Sequence, residues 1–475
     1  MPRRVSVVSV FSIALVLGFV VWAPSTSVTA QVSTTVTVFT SADSGPGSFR
    51  AAIARANATA SIGRILFLGA VSTIELQSTV TFTGPQDLTI DGNLATLDGT
   101  EAAGPAFRAT GGGDLAIRNL TVRNAPAEGI SVDVPVGAQG TIHVSLFKVD
   151  ILNNDGHGLL VDDQDDPETP AVDGDSPASV DVTLANCQFV RNGYSVSDRD
   201  GVRVNEGGAG DLSITIWHSS SRDNGADGIE VDEKGAGDVR VFMLGSDVTG
   251  NGIFDPADLD DGFDIDEAEA GSILGLVFNS SANNNFEEGF DFNENHAGDL
   301  RVDMYFVEAN GNREEGVDYE EDDDFAGGGD LVTTMFQVTA NGNGADGGDA
   351  GLKIREKGAG DLSASLHQIE TSENEIGGIS VREDAEGNLD SDISYATSLA
   401  NGGHGIDFDE NRASTSDAGN LTASVSHSTS SSNGGAGVRA DQQTPGTGTL
   451  SLTNVTLENN AGGATTGSNV AISSS

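Results

Sequence analysis

From residue 201 to residue 437 the apolar residues fall at alternate places, in short runs that each follow a glycine. Val202 and Val204, Ile229 and Val231, Phe263 and Ile265, Phe290 and Phe292 are such pairs. Val317 and Tyr319, Leu352 and Ile354, Ile379 and Val381, Ile406 and Phe408 continue the series. The places between them are polar, as in Glu230 and Asp232 or Asp291 and Asn293. Alternation of this kind predicts a short strand with one buried face. A turn follows, Gly-Ala-Gly-Asp at 208–211, 235–238 and 358–361, with the variant His296–Asp299. A second alternating stretch comes next, as in Leu212, Ile214, Ile216 and Leu300, Val302, Met304. Each unit closes on an asparagine, among them Asn192, Asn224, Asn251, Asn285, Asn312, Asn343, Asn374, Asn401 and Asn433. Asparagine tolerates left-handed backbone, and stacked asparagines hydrogen-bond from coil to coil.

The glycines that open the units are Gly201, Gly228, Gly262, Gly289, Gly316, Gly351, Gly378, Gly405 and Gly437, separated by 27, 34, 27, 27, 35, 27, 27 and 32 residues. A unit this short cannot bury its apolar face alone, so the pattern marks a stacked array. Two or three short strands per unit with no helix between them predict a right-handed parallel β-helix; a leucine-rich horseshoe needs a different leucine spacing, and a propeller blade needs four strands in roughly 40 residues. The pattern extends upstream through Gly158 and Gly129. About eleven coils at about 4.8 Å each predict a rod roughly 50–60 Å long, longer with the N-terminal region.

A second column runs with the first. The fifth residue after each glycine is Glu206, Glu233, Glu267, Glu294, Glu321, Glu356, Glu383 and Glu410, then Gln442. We read this column as an extended acidic face, which marks no single catalytic position.

The open end of such a rod needs a cover. Ser48–Asn57 supplies one: Ser48 is a good helix N-cap, and Phe49, Ala52, Ile53 and Ala56 make one apolar stripe. The run Ser44-Gly-Pro-Gly-Ser-Phe-Arg-Ala-Ala-Ile-Ala-Arg-Ala-Asn57, with Leu88-Thr-Ile-Asp-Gly92 downstream, resembles the N-terminal cap of secreted bacterial right-handed β-helix proteins. In that family, which includes the polymorphic-outer-membrane-protein-like and choice-of-anchor surface proteins, the run commonly reads Ser-Gly-Pro-Gly-Ser-Leu-Arg-x-Ala-Ile. The resemblance implies fold and export, and says little about activity, because β-helices host adhesins, lyases, hydrolases and spacers. Residues 1–30 have a basic start at Arg3 and Arg4, an apolar run from Val5 to Ala23 and a small-residue exit, the pattern of a secretory signal cut before Gln31. The chain thus divides into a signal (1–30), a cap with the first strands (31–100), the coils (101–460) and a Ser/Gly-rich tail (461–475).

Without the signal, 21 basic residues face 72 acidic ones, a net charge of −51. That surface repels nucleic acid and acidic polysaccharide unless cations bridge them. Carboxylates stacked at about 4.8 Å repel, so we expect bound calcium, a hard cation that takes 6–8 oxygen ligands. Glu233, Glu267, Glu294 and Glu321 of the column are candidate ligands. So is the segment Asp247–Asp258, which resembles an EF-hand or dockerin loop. Asp247, Thr249, Asn251, Asp255 and Asp258 fall at its positions 1, 3, 5, 9 and 12, with Gly252 at the sharp turn. The acidic loops Asp162–Asp175 and Glu320–Asp324 read as solvated insertions.

Motifs for zinc, a serine nucleophile or a phosphate loop are missing, and the histidines are scattered among coils. Cys187 is the lone cysteine and excludes a disulfide framework. One basic island, Lys353, Arg355, Lys357 and Arg382, interrupts the acids. A lyase resembling the pectate-lyase class would need calcium beside such a basic residue. Few aromatics fall at outward positions, which argues against extended sugar stacking. These features predict a secreted or cell-surface, calcium-stabilised module, non-enzymatic and adhesin-like, with a surface glycan or surface protein as partner. The alternative is a β-helix polysaccharide lyase or glycoside hydrolase. The two differ in one feature, a place where outward residues break the repeat to form a groove with convergent acid and base.

Overall fold

The computed structural model describes residues 33–163, 175–195, 198–254, 259–321, 328–410 and 419–475. The signal-like segment, Asp255, Asp258 and most of the two acidic loops lie outside these residues. Among the described residues all strand pairings are parallel, and the chain winds as a right-handed parallel β-helix.

A coil contributes three short strands, the last two running on as one in some coils, as at Leu300–Glu308 and Leu331–Thr339. In one coil they are Ile229–Glu233, Val239–Leu244 and Asp247–Thr249. The first kind stacks into a 14-stranded sheet, here sheet B, running from Val80–Phe82 to Thr465–Ser468 in coil order. At about 4.8 Å per strand this sheet is about 60 Å long. The other two kinds form sheet A, which bends at a corner where the residue adopts positive φ, as at Phe306, Gln337 and Tyr395. Register survives the longer steps. Lys353 pairs with Asp318 across the 35-residue step just as Glu230 pairs with Arg203 across a 27-residue one.

The alternating apolar residues fill the interior. Val231, Ile265, Phe292, Tyr319 and Ile354 stack in one buried column. Phe263 meets Phe290 edge-on, and Phe292 meets Tyr319 with ring centres 5.0 Å apart. The repeat glycine is required by close approach. A Cβ at Gly228 would lie 2.4 Å from the Gly262 carbonyl and 2.6 Å from Nδ2 of Asn251.

The asparagines form a buried ladder. The Asn224 N–H and Nδ2 donate to Asn251 Oδ1 at 3.1 and 3.0 Å, and Asn251 donates in the same way to Asn285 at 3.2 and 3.1 Å. The ladder asparagines are not the left-handed residues. That role belongs to the residue before them, as at Asp223, Gly250, Asn284 and Glu373.

The N-terminal cover is the helix Phe49–Ala58. The Ser48 hydroxyl accepts the Ala51 N–H at 3.2 Å, and Phe49, Ala52, Ile53 and Ala56 are buried. Phe49 packs against Phe67 of the first coils at 5.2 Å between ring centres. At the other end, the segment read as a tail is ordered on the last coil as Thr465–Ser468 and Val470–Ser474.

Two outward features differ from the sequence reading. Aromatics do line the outside: Phe278, Phe306, Phe336, His367, Tyr395 and His427 follow one another at 5.0–5.4 Å along the sheet A corner. Two of these contacts are face to face, Phe336 on His367 and Tyr395 on His427, so neighbouring rings cover the faces a sugar would stack on.

The glutamate column is not an acidic face. Glu206, Glu233, Glu267, Glu294, Glu321, Glu356, Glu383 and Glu410 are all 0 % exposed, and so is Gln442. They end the sheet B strands, and several accept backbone N–H groups from the turn that follows. Gly235 donates to Glu233 at 2.8 Å and Ala385 to Glu383 at 2.6 Å. Burial pushes the carboxyls up, Glu206 to about 9, Glu267 to about 8, Glu294 to about 10 and Glu356 to about 12; the neighbouring glutamates add to this at Glu206, Glu294 and Glu356, whereas at Glu267 the hydrogen bond with Glu294 opposes it. Carboxyls that hold protons at neutral pH donate hydrogen bonds to one another and have no need of a cation. Gln442 ends the column as a neutral amide and donates to Glu410.

Two outcomes are expected. Asn224→Ala removes a rung and strands the Asn192 N–H; thermal melting should show a loss of about 2–4 kcal/mol. The glutamate column titrates in the opposite sense to ordinary carboxylates. Its folded pKa values lie above the unfolded value near 4.5, so its stability is full below about pH 4.5 and is lost as pH rises toward 8–10. Glu356→Gln puts a neutral amide in the slot of the carboxyl and should be more stable than the parent by about 1–3 kcal/mol at pH 9, with little change at pH 5. Equal pH slopes for parent and variant in thermal melts would show that the column is ionised in the fold.

Candidate functional site

The residues that vary chemically from coil to coil face outward on sheet B. They form three columns: the residue before each repeat glycine, and the second and fourth residues after it. From coil 227 to coil 318 all three are acidic apart from Asn293. The first column reads Asp227, Asp261, Glu288, Glu315, the second Glu230, Asp264, Asp291, Asp318, and the third Asp232, Asp266, Asn293, Glu320. The first column is partly structural. Asp200 accepts the Asp227 N–H at 3.0 Å, Asp227 accepts the Asp261 N–H, and Asp261 accepts the Glu288 N–H at 2.6 Å.

That ladder uses one oxygen of each first-column acid and leaves others converging. Asp227, Glu230 and Asp264 bring ligand atoms within 4.8 Å of one another, as do Asp261, Asp264 and Asp291, and Glu288, Glu315 and Asp318. Oδ1 of Asp264, Asp291 and Asp318 is buried without a hydrogen-bond partner. Two full charges at this separation repel by about 3–4 kcal/mol at an effective dielectric of 20. Burial, and then this repulsion, hold Asp227, Glu230, Asp264, Glu288 and Asp291 well above the usual carboxylate range. Asp261 is pushed up to about 6 and Asp318 to about 8, the latter although Lys353 pulls it down.

Basic side chains close both ends of the strip. Arg203 reaches Glu230 at 2.6 Å and Asp232 at 2.8 Å. Lys353 reaches Asp318 at 2.6 Å and Glu320 at 2.5 Å, and Lys357 also meets Glu320. Burial alone would raise Glu320, but Lys353 and Lys357 outweigh it and hold the carboxyl at about 2. Burial would lower Lys353, but the acids around it outweigh that and raise it. The basic island therefore continues the outward columns, with Arg355 and Arg382 stacked on adjacent coils as the register predicts. Its acidic partners are Asp318, Glu320, Asp349 and Asp384; Glu356 and Glu383 lie inside.

Beyond the island the first two columns shrink to Gly377 and Ser380, and a cavity of about 170 Å³ opens beside Asp349, Arg382, His404 and Asp407. His404 is thus part of a pocket, where its place in the sequence read as a turn.

The residues chosen from sequence lie elsewhere. Asp247 and Thr249 are in a sheet A strand, paired with Ser220 and Arg222 on one side and Ser281 and Asn283 on the other. Asn251 is a buried rung of the asparagine ladder, with its amide committed on both sides. Asp255 and Asp258 are outside the described residues. Glu233, Glu267, Glu294 and Glu321 are in the buried column. Cys187 is buried, with its thiol pushed up to about 11 by burial, and is inert.

No family model matches the chain, and no curated protein matches it. Among the described residues no helix is long and apolar enough to cross a membrane. The backbone is similar to three solved structures. The pectate lyase Pel9A matches at 17% identity and a TM-score of 0.42, over 67% of this chain and 80% of that one. The Agl-KA catalytic domain matches at 14% identity and a TM-score of 0.34, over 90% of this chain and 65% of that one. The catalytic domain of a GH87 alpha-1,3-glucanase in complex with nigerose matches at 11% identity and a TM-score of 0.24, over 91% and 67%. These likenesses concern the fold, and the reading of the site rests on its side chains.

Proposed function

We propose that the chain is a secreted or surface-borne polysaccharide-active β-helix that uses the outer face of sheet B, with Ca²⁺ held by the carboxylate strip. The observation that carries this reading is the cluster Glu288, Glu315 and Asp318, set directly against Lys353. It is the break in the repeat that separates a working face from a uniform one. The donor set is all carboxylate oxygen, which suits a hard divalent cation. The partnerless Oδ1 atoms of Asp264, Asp291 and Asp318 are what such a cation would satisfy.

A bound Ca²⁺ supplies positive charge that neutralises a uronate carboxylate and acidifies the neighbouring C–H. The chain's own residues do the rest. Asp261, Asp264 and Asp291, and the cluster of Glu288, Glu315 and Asp318, are the residues that would hold the cation. Arg203 and Lys353 keep the strip's ends from repelling an acidic polymer. Lys353 is the basic side chain at the cluster; its ion pairs with Asp318 and Glu320 hold it as an ammonium, and it could take the proton α to the carboxylate only where a cation drawn onto Glu288, Glu315 and Asp318 released it from those carboxylates. The C–O bond at the β carbon then breaks, a C=C bond forms, and the departing oxygen takes up a proton. Without a cation a face this acidic rejects a uronate chain.

Calorimetry should show Ca²⁺ binding with proton release at pH 6, because the strip's carboxyls must ionise to ligate. Asp264→Asn with Asp291→Asn should weaken binding at least tenfold, and matched sodium chloride should not reproduce the effect. With polygalacturonate and Ca²⁺ the protein should generate unsaturated ends, lost on EDTA or in Lys353→Ala. Reducing ends without unsaturation would mean hydrolysis by a carboxyl pair. Binding to the polymer without cleavage would return the chain to a non-enzymatic module.

A further inference from the structure

The cavity next to the basic island is built differently from the strip. It opens because two successive outward positions, Gly377 and Ser380, carry almost no side chain. Its volume of about 170 Å³ equals roughly six waters at about 30 Å³ each, the bulk of one sugar ring. Its polar groups alternate in sense. Arg382 is 5% exposed, and its Nη1 donates to Asp349 at 2.5 Å, but its Nε is buried with no partner. His404 accepts the Ala436 N–H on Nδ1 at 2.9 Å, so the neutral ring carries its proton on Nε2. Burial, and then Arg439, lower its basicity and keep the ring neutral. Asp407 accepts from Arg439 on Oδ2 at 3.1 Å, while its Oδ1 is buried and without a partner. Ile376, 39% exposed, adds an apolar wall.

The geometry points to a monosaccharide subsite, in which the Arg382 Nε–H and the free Asp407 oxygen engage adjacent hydroxyls of one pyranose ring against Ile376. A vicinal diol offers a donor and an acceptor side by side, which is what a free N–H next to a free carboxyl oxygen requires. An isolated anion fits less well, because the acids Asp349 and Asp407 line the same cavity as the two guanidiniums and already pair with them. A buried Nε without a partner is costly, and a sugar hydroxyl would satisfy it. The choice of a sugar over another polyol rests on the polysaccharide reading above. The cavity lies one coil beyond Lys353, so the same polymer lying along the rod would place a neighbouring residue in it.

Saturation-transfer NMR and calorimetry on the full chain with methyl β-D-glucopyranoside and D-galacturonate test this, with tetrahydropyran and sodium acetate as controls. At least one sugar should bind, the controls should not, and EDTA should change nothing, because no metal is involved. Asp407→Asn should weaken sugar binding at least tenfold and Ser380→Leu should abolish it, with melting temperatures close to the parent. Should Ser380→Leu misfold, Asp407→Asn decides alone. Acetate binding as tightly as the sugars, no sugar binding, or binding indifferent to Asp407→Asn overturns the subsite. Intact calcium binding and polymer cleavage in those same outcomes would leave the polysaccharide reading standing, and sugar binding without calcium binding would leave the subsite standing.

Discussion

Every feature of this molecule follows from one constraint, the spacing of about 4.8 Å between hydrogen-bonded strands. In a parallel coil each side chain sits over its own equivalent in the coil before. Apolar residues gain from this, as Phe263, Phe290 and their neighbours do. Asparagine gains too, because one amide presents a donor to one neighbour and an acceptor to the other. An ionised carboxylate cannot gain, since its nearest neighbour is another of its kind. The acids of this chain therefore meet the constraint in one of three ways. They hold protons, as in the glutamate column, they pair with an inserted base, as at Lys353 and Arg203, or they converge with oxygens left over, as along the strip.

The fold was legible because repetition imposed by stacking is written directly in the sequence. The glycine, the alternation and the closing asparagine each report a close approach between coils. The glutamate column was misplaced, and the signal that would have placed it was present. The fifth position after the glycine shares parity with the first and third, which are buried. Parity predicts an inward side chain, whereas charge predicts an outward one. Parity won because the turn supplies backbone N–H groups, and protonation removes the charge that would have forced the side chain out.

The site was less legible for the converse reason. Outward positions carry no apolar signature, and the eye follows the regular column. What marks the strip is irregularity, the acids of the second and fourth places giving way at Lys353 and Arg355 and then shrinking to Ser380. The segment Asp247–Asp258 resembles a calcium loop by its spacing alone. Spacing that fits a calcium loop also fits a strand followed by a ladder asparagine, and in a stacked coil the ladder claims Asn251 first.

The two acidic systems differ in what lies on their open side, and that difference decides which of them a cation would enter. A buried glutamate shares its proton with the glutamate above or below, and several also accept a peptide N–H, so a metal there would have to enter a closed wall and displace those shared protons. In the strip the first-column acids accept backbone N–H groups, as Asp261 does from Glu288, but the second column has one oxygen left without any such partner. Asp264, Asp291 and Asp318 keep a partnerless oxygen on the outer face of sheet B. Protonating them removes repulsion and leaves those oxygens unsatisfied, whereas a divalent cation removes both penalties at once. The same stacking that forbids ionised glutamates inside the rod thus leaves, on its outside, a linear array of oxygen donors whose repeat along the axis is that of the coils themselves.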